Sequence, residues 1–148
     1  MYAVASPADT SSSHFHESYN IPSDTREACR VREMIAGRLR QSGYGEREVI
    51  DILQALDEAV VNAIKHGNKC DDRKRLRIAF CVGNDCFEVC VEDEGAGFNP
   101  ETVPSPLDVE RLELPCGRGL LMMRHYMSEV RHLTPGNAVV MVKRRRCG

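Results

Sequence analysis

Asp51 to His66 reads DILQALDEAVVNAIKH, and its periodicity decides the fold. At about 100° per residue, apolar and polar positions separate onto two sides of a helix. Val49, Ile52, Leu53, Leu56, Val60, Ala63 and Ile64 share one side. Asp51, Gln54, Glu58, Asn62, Lys65 and His66 share the other. Helical spacing holds Glu58 and Asn62 about 6 Å apart. A solvated surface can carry such a pair. So can a site that needs a carboxylate for proton transfer and a carbonyl oxygen for a metal ion. Gly67-Asn68 follows at once and reads as the helix C-cap.

Toward the N-terminus, the small polar residues of MYAVASPADTSSS read as a flexible leader. His14 to Ile21 alternates and predicts an edge strand, with Phe15, Glu17 and Tyr19 on one face. Pro22-Ser23-Asp24 is a turn and N-cap signal. Ala28, Val31, Ile35 and Leu39 then recur at helical spacing, which predicts an amphipathic helix over Thr25 to Gln41. Ser42-Gly43-Tyr44-Gly45 ends it, and the second helix runs from about Glu46 to His66.

Toward the C-terminus, Lys69 to Lys74 reads as a charged, solvated turn, because Asp71 and Asp72 dilute its basic residues. Leu76 to Val82 and Cys86 to Asp93 alternate as strands around a Gly83-Asn84-Asp85 connection. Phe87, Val89, Val91 and Asp93 share a face, so a carboxylate ends an apolar row and faces a rim or a pocket. In Asp93-Glu94-Gly95-Ala96-Gly97-Phe98 the glycines allow a tight bend and close approach to a ligand. Asn99 to Pro115 is too long for an ordinary connection and reads as a lid, with room for a short helix around Leu107 to Leu112. Cys116-Gly117-Arg118-Gly119-Leu120 reads as a glycine-rich turn opening a helix from Leu120 to Met127, where backbone N–H groups can receive phosphate. Glu129 to Leu133 and Ala138 to Lys143 predict two final strands. KRRR, from Lys143 to Arg146, reads as a solvated basic end.

Composition narrows the classes. The 148 residues suit one domain, and 42% apolar residues suffice for one core. A net charge of −2 gives no general pull toward nucleic acid or anionic membrane. Membrane-length apolar runs and a secretory signal pattern are both missing, so a cytoplasmic protein is the expectation. The seven cysteines are odd in number and contain no CxxC pair, which argues against a disulfide framework or a zinc site.

Taken together, the helix with Glu58 and Asn62, the Asp93 loop and the second glycine-rich segment imply a nucleotide site. The chain resembles the anti-sigma factor serine/threonine kinases of the GHKL (histidine kinase-like ATPase) superfamily. Glu58-Ala59-Val60-Val61-Asn62-Ala63-Ile64-Lys65-His66-Gly67 is similar to that family's N-box. Asp93 to Phe98 is similar to its first glycine box, and Gly117-Arg118-Gly119-Leu120 with Met123-Arg124 to its second. Near Pro115-Cys116 the chain departs from the family pattern.

The resemblance implies a two-layer α/β sandwich of the Bergerat type, with a mixed, mostly antiparallel sheet and helices on one face. It implies a histidine kinase-like ATPase domain over 14–143, between a leader, 1–13, and a basic tail, 144–148. It implies ATP and Mg²⁺, with Asn62 as the metal ligand and Glu58 as the base that takes a proton from a partner's serine or threonine. Asp93 would bind the adenine amino group, and Gly95, Gly97 and Phe98 would shape its pocket. Gly117, Arg118, Gly119 and Leu120 would close on the phosphates, with Lys65, His66 and Arg118 as further contact candidates. The implied protein partners are an antagonist of anti-sigma factors, as substrate, and a sigma factor; a homodimer is compatible with the resemblance. The alternative is a nucleotide-binding module that sequesters its partner without kinase activity.

Overall fold

The computed structural model describes residues 13–95, 115–133 and 137–145. Strand β1 (Ser13–Pro22) leads into α1 (Thr25–Gln41) and α2 (Glu46–Asn62). Strands β2 (Arg75–Gly83) and β3 (Cys86–Glu92) follow, then α3 (Pro115–Tyr126), β4 (Glu129–Leu133) and β5 (Ala138–Arg144). The sheet order is β1-β2-β3-β5-β4, and each pairing among the described strands is antiparallel. β1 is therefore the edge strand that its alternation predicts.

The two-residue period of the strands sorts the sheet into unlike faces. Ile78, Phe80 and Val82 of β2, Phe87, Val89 and Val91 of β3, and Val139 and Met141 of β5 join one core with the helices. From α1 come Ala28, Val31, Ile35 and Leu39, and from α2 the whole apolar side from Val49 to Val60. Met123 and Met127, at helical spacing after the second glycine box, are buried with them. Ala79, Cys81, Cys90, Ala138 and Val140 form a second, smaller apolar cluster. Burial there pushes the Cys90 thiol up to about 11, which keeps it protonated.

α1 begins where the sequence places it, with the Asp24 side chain accepting from the Arg26 N–H. It ends at Gln41, and Gly43 just beyond the Ser42 cap turns the chain with a φ of +82°, left-handed backbone that glycine adopts without steric cost. Arg32 of α1 reaches Asp57 of α2 at 2.8 Å. Arg38 pairs with Glu17 of β1 at 2.9 Å and lies over the Phe15 ring. That guanidinium holds the Glu17 carboxyl below the usual carboxylate range.

Two boundaries differ from expectation. The α2 helix does not end in a simple cap at Gly67-Asn68. Ala63–Gly67 forms a wider π-turn, closed by Asn68 N–H donating to the Ala63 carbonyl. The left-handed residues are Lys69 and Cys70, two positions later. α3 starts at Pro115, so the backbone of Gly117 and Gly119 is helical and does not form a turn ahead of Leu120. Proline suits the first position of a helix because its φ is already set and its missing N–H would be unpaired there.

The basic end is not simply solvated. Lys143 Nζ donates to Asp51 at 3.2 Å and to the Tyr126 carbonyl at 2.6 Å, tying β5 to α2 and α3. Arg145 donates to the carbonyls of Gly43 and Asn84 and covers the Tyr44 ring at 4.4 Å. The chain is thus held one residue beyond the last strand. Arg145→Ala is expected to cost about 1 kcal/mol from lost cation–π and hydrogen-bond contact. Thermal unfolding should show it as a fall in Tm of about 2–4 °C. An unchanged Tm would return Arg145 to a solvated tail.

Among the described residues no helix is long and apolar enough to cross a membrane. The exposed cysteines among them are Cys29 and Cys70.

Candidate functional site

The end of α2 and the segment after β3 meet closely. Asp93 continues the core-facing row of β3 past the end of the strand and is half-buried. A Cβ built on Gly67 would lie 2.1 Å from Asp93 Oδ2, so the carboxylate rests against the Gly67 backbone. A Cβ on Gly95 would lie 2.2 Å from the Gly67 carbonyl oxygen. Both approaches are open to glycine alone without a shift. The segments similar to the N-box and to the first glycine box, separate in the chain, are in direct contact.

Asp93 is fixed through its backbone and side chain together. Its Oδ1 accepts from the Gly95 N–H at 2.7 Å. Its N–H donates to the Asn137 carbonyl at 2.9 Å, and its carbonyl accepts from Asn137 Nδ2 at 3.1 Å. Asn68 holds the next residue: its Oδ1 accepts from the Glu94 N–H at 2.8 Å.

Burial raises the Asp93 pKa, and the Gly95 N–H bond opposes part of that rise. The sign for stability follows. A carboxyl whose folded pKa is raised favours folding while protonated, below its unfolded pKa. That contribution is lost as pH rises through the folded value. At neutral pH the buried charge therefore costs stability. Asp93→Asn should raise Tm at neutral pH, with the gain shrinking toward acid pH. A lower Tm at neutral pH would contradict this account of the site.

Glu58 and Asn62 lie one turn apart on α2 and are both half-buried. The other acids of that helix have partners. Glu46 pairs with Arg40, and Glu48 accepts from the Gly45 N–H. Asp51 pairs with Lys143 and Asp57 with Arg32. Among the described residues, Glu58 has no hydrogen bond or ion pair, and neither does the Asn62 amide. A half-buried carboxylate and amide left unengaged by the described residues can serve a ligand. Asn62 offers an oxygen, the donor type a hard cation such as Mg²⁺ takes.

Lys65 and His66 are exposed on the π-turn. α3, whose backbone carries Gly117 to Leu120, packs against α2. Gly97, Phe98 and residues 99–114 of the lid lie outside the described residues, including the short helix expected at Leu107 to Leu112. So do the side chains of Arg118 and Leu120.

Asn68 and Asn137 were not singled out by the sequence. An asparagine beside glycine reads as an ordinary turn residue. Asn68 is instead fully buried, at 0% exposure.

The histidine kinase-like ATPase domain family matches residues 21–143. The chain belongs to that family. It is 34% identical over 102 residues to an anti-sigma F factor of Clostridium perfringens, covering 66% of this chain and 73% of the relative. It is 31% identical over 118 residues to the serine-protein kinase RsbW of Bacillus subtilis, covering 75% and 73%. The fold matches the crystal structure of RsbU and RsbW domains from Mycobacterium tuberculosis with a TM-score of 0.61 at 19% identity. That match covers 89% of this chain and 32% of the longer one.

Proposed function

We propose that the chain is an ATP-dependent serine/threonine protein kinase that phosphorylates an antagonist of anti-sigma factors and so controls transcription by partner switching. The observation that carries this reading is Glu58. It is the acid of α2 that the described fold leaves unpaired, and it stands one turn from Asn62 on the helix whose end meets Asp93. The relatives named anti-sigma F factor and serine-protein kinase support the choice of reaction.

Asp93 accepts from the adenine amino group, Gly67 leaves room for that carboxylate against the end of α2, and Gly95 and Gly97 shape the adenine pocket. Gly117 to Leu120 would close on the phosphates, with Arg118 the candidate among them for a phosphate contact. Asn62 would hold Mg²⁺, offering its side-chain oxygen to the ion. The ion, when bound, neutralises charge on the phosphate oxygens. Glu58 accepts the proton of the partner's hydroxyl as that oxygen bonds the γ-phosphorus. The bond from the γ-phosphorus to the bridging oxygen breaks, and ADP departs with the electron pair. Such a transfer depends on alignment and charge balance more than on covalent help from the protein. A sigma factor is the second partner, which places the protein in the cytoplasm.

Incubation with γ-labelled ATP and a small antagonist-type protein tests the proposal. Label on a partner serine or threonine is the expected result. Tight binding of nucleotide and partner without label would support the sequestering module.

A further inference from the structure

The peptide group joining Asp93 to Glu94 is held at both ends by asparagine side chains. Its carbonyl accepts from Asn137 Nδ2, and its N–H donates to Asn68 Oδ1. Because a peptide unit is planar and rigid, holding both ends fixes its rotation. That rotation sets Asp93 ψ, and with it the turn in which Asp93 Oδ1 receives the Gly95 N–H.

Asn68 is anchored well enough to serve as a reference point. Its Nδ2 donates to Ser23 Oγ and to the Arg75 carbonyl, each at 3.0 Å. An N–H faces its oxygen and a carbonyl faces its nitrogen, so the amide has one satisfactory orientation. Both donor positions and the acceptor are used. Its own N–H closes the π-turn on Ala63. One buried side chain therefore links the end of α2, the β1–α1 turn, the start of β2 and the segment carrying Asp93.

We propose that Asn68 is the positioning residue for Asp93: its buried amide locks the Asp93–Glu94 peptide against the end of α2, so the carboxylate meets the purine amino group in one orientation. Asn68 itself is fully buried and acts through Asp93. The inference rests on the reading of Asp93 as the adenine contact.

The test compares binding of ATP with that of purine riboside triphosphate, which lacks the 6-amino group, on the full chain. Asn68→Ala should weaken ATP about 5–30-fold, the range for one lost hydrogen-bonding partner in a buried site. Purine riboside triphosphate should weaken much less, so discrimination between the two falls. Ser23→Ala removes one Asn68 partner but leaves the bond to Glu94. It should lower Tm while keeping discrimination. A general loosening of the fold would weaken both nucleotides together.

If folded Asn68→Ala keeps the wild-type ratio, Asn68 is structural only and the inference fails. Should Asn68→Ala not fold, Asn68→Ser keeps a small polar group for Ser23 or Arg75 but is too short to hold the Glu94 N–H as well. The ratio should again fall; a wild-type ratio would overturn the proposal. Asp93→Asn separates the two levels. With Oδ1 kept on Gly95, it turns an amide NH₂ toward the amino group and should abolish discrimination. If it does not, the adenine reading itself is wrong.

Discussion

Glu58→Gln should lower the rate of phosphate transfer by about 10²–10⁴-fold, the usual contribution of a positioned general base. That corresponds to about 2.7–5.5 kcal/mol of transition-state stabilisation. ATP should still bind, because the substitution keeps size and polarity and removes only the proton acceptor. The structure supplies a matched control on the neighbouring residue. Asp57 is bound to Arg32 at 2.8 Å and is therefore spent on joining α1 to α2. Asp57→Asn should lower Tm slightly and leave transfer intact. The pair of variants is read by labelled-phosphate transfer and nucleotide binding on the same preparations. Transfer at the wild-type rate in Glu58→Gln would remove Glu58 as the base. Equal loss in both variants would point to damage to α2.

Much of this architecture could be read from periodicity, because periodicity records burial directly. The apolar side of α2 is the buried side, and Phe87, Val89 and Val91 face the core with Asp93 next in the row. Asp93 stood out because a charge ended an apolar row. What periodicity does not encode depends on residues far apart in the chain. Nothing local tells Asn68 from a turn asparagine, since its burial is set by Ser23, Arg75 and Glu94. Nothing local separates Lys143 and Arg145 from their basic neighbours either. Their roles come from Asp51 on α2 and from Tyr44 after α1. The π-turn goes unencoded for another reason. One extra residue in the last turn leaves the apolar pattern unchanged, so Ala63 and Ile64 are buried either way.

The same contrast between engaged and unengaged groups makes Asn62→Ala an informative variant. Asn62 is the last residue of α2 before the π-turn, and its amide is not hydrogen-bonded among the described residues. Alanine is the better helix former, so truncation there should leave Tm unchanged or slightly higher. Affinity for ATP in the presence of magnesium should nonetheless fall by about 10–100-fold, comparable to losing a group that supports a bound metal. The deciding measurement is the response to a chelator. In the native chain, EDTA should weaken ATP binding strongly. In Asn62→Ala it should add little, because the ion's protein anchor is already gone. If EDTA has the same effect on both proteins, the metal is held elsewhere and the oxygen of Asn62 is not its ligand. If Tm drops sharply instead, Asn62 belongs with Asn68 among the amides that hold the fold together. The two asparagines would then differ only in depth, and Glu58 would lose the neighbour that marks its face of α2 as a site.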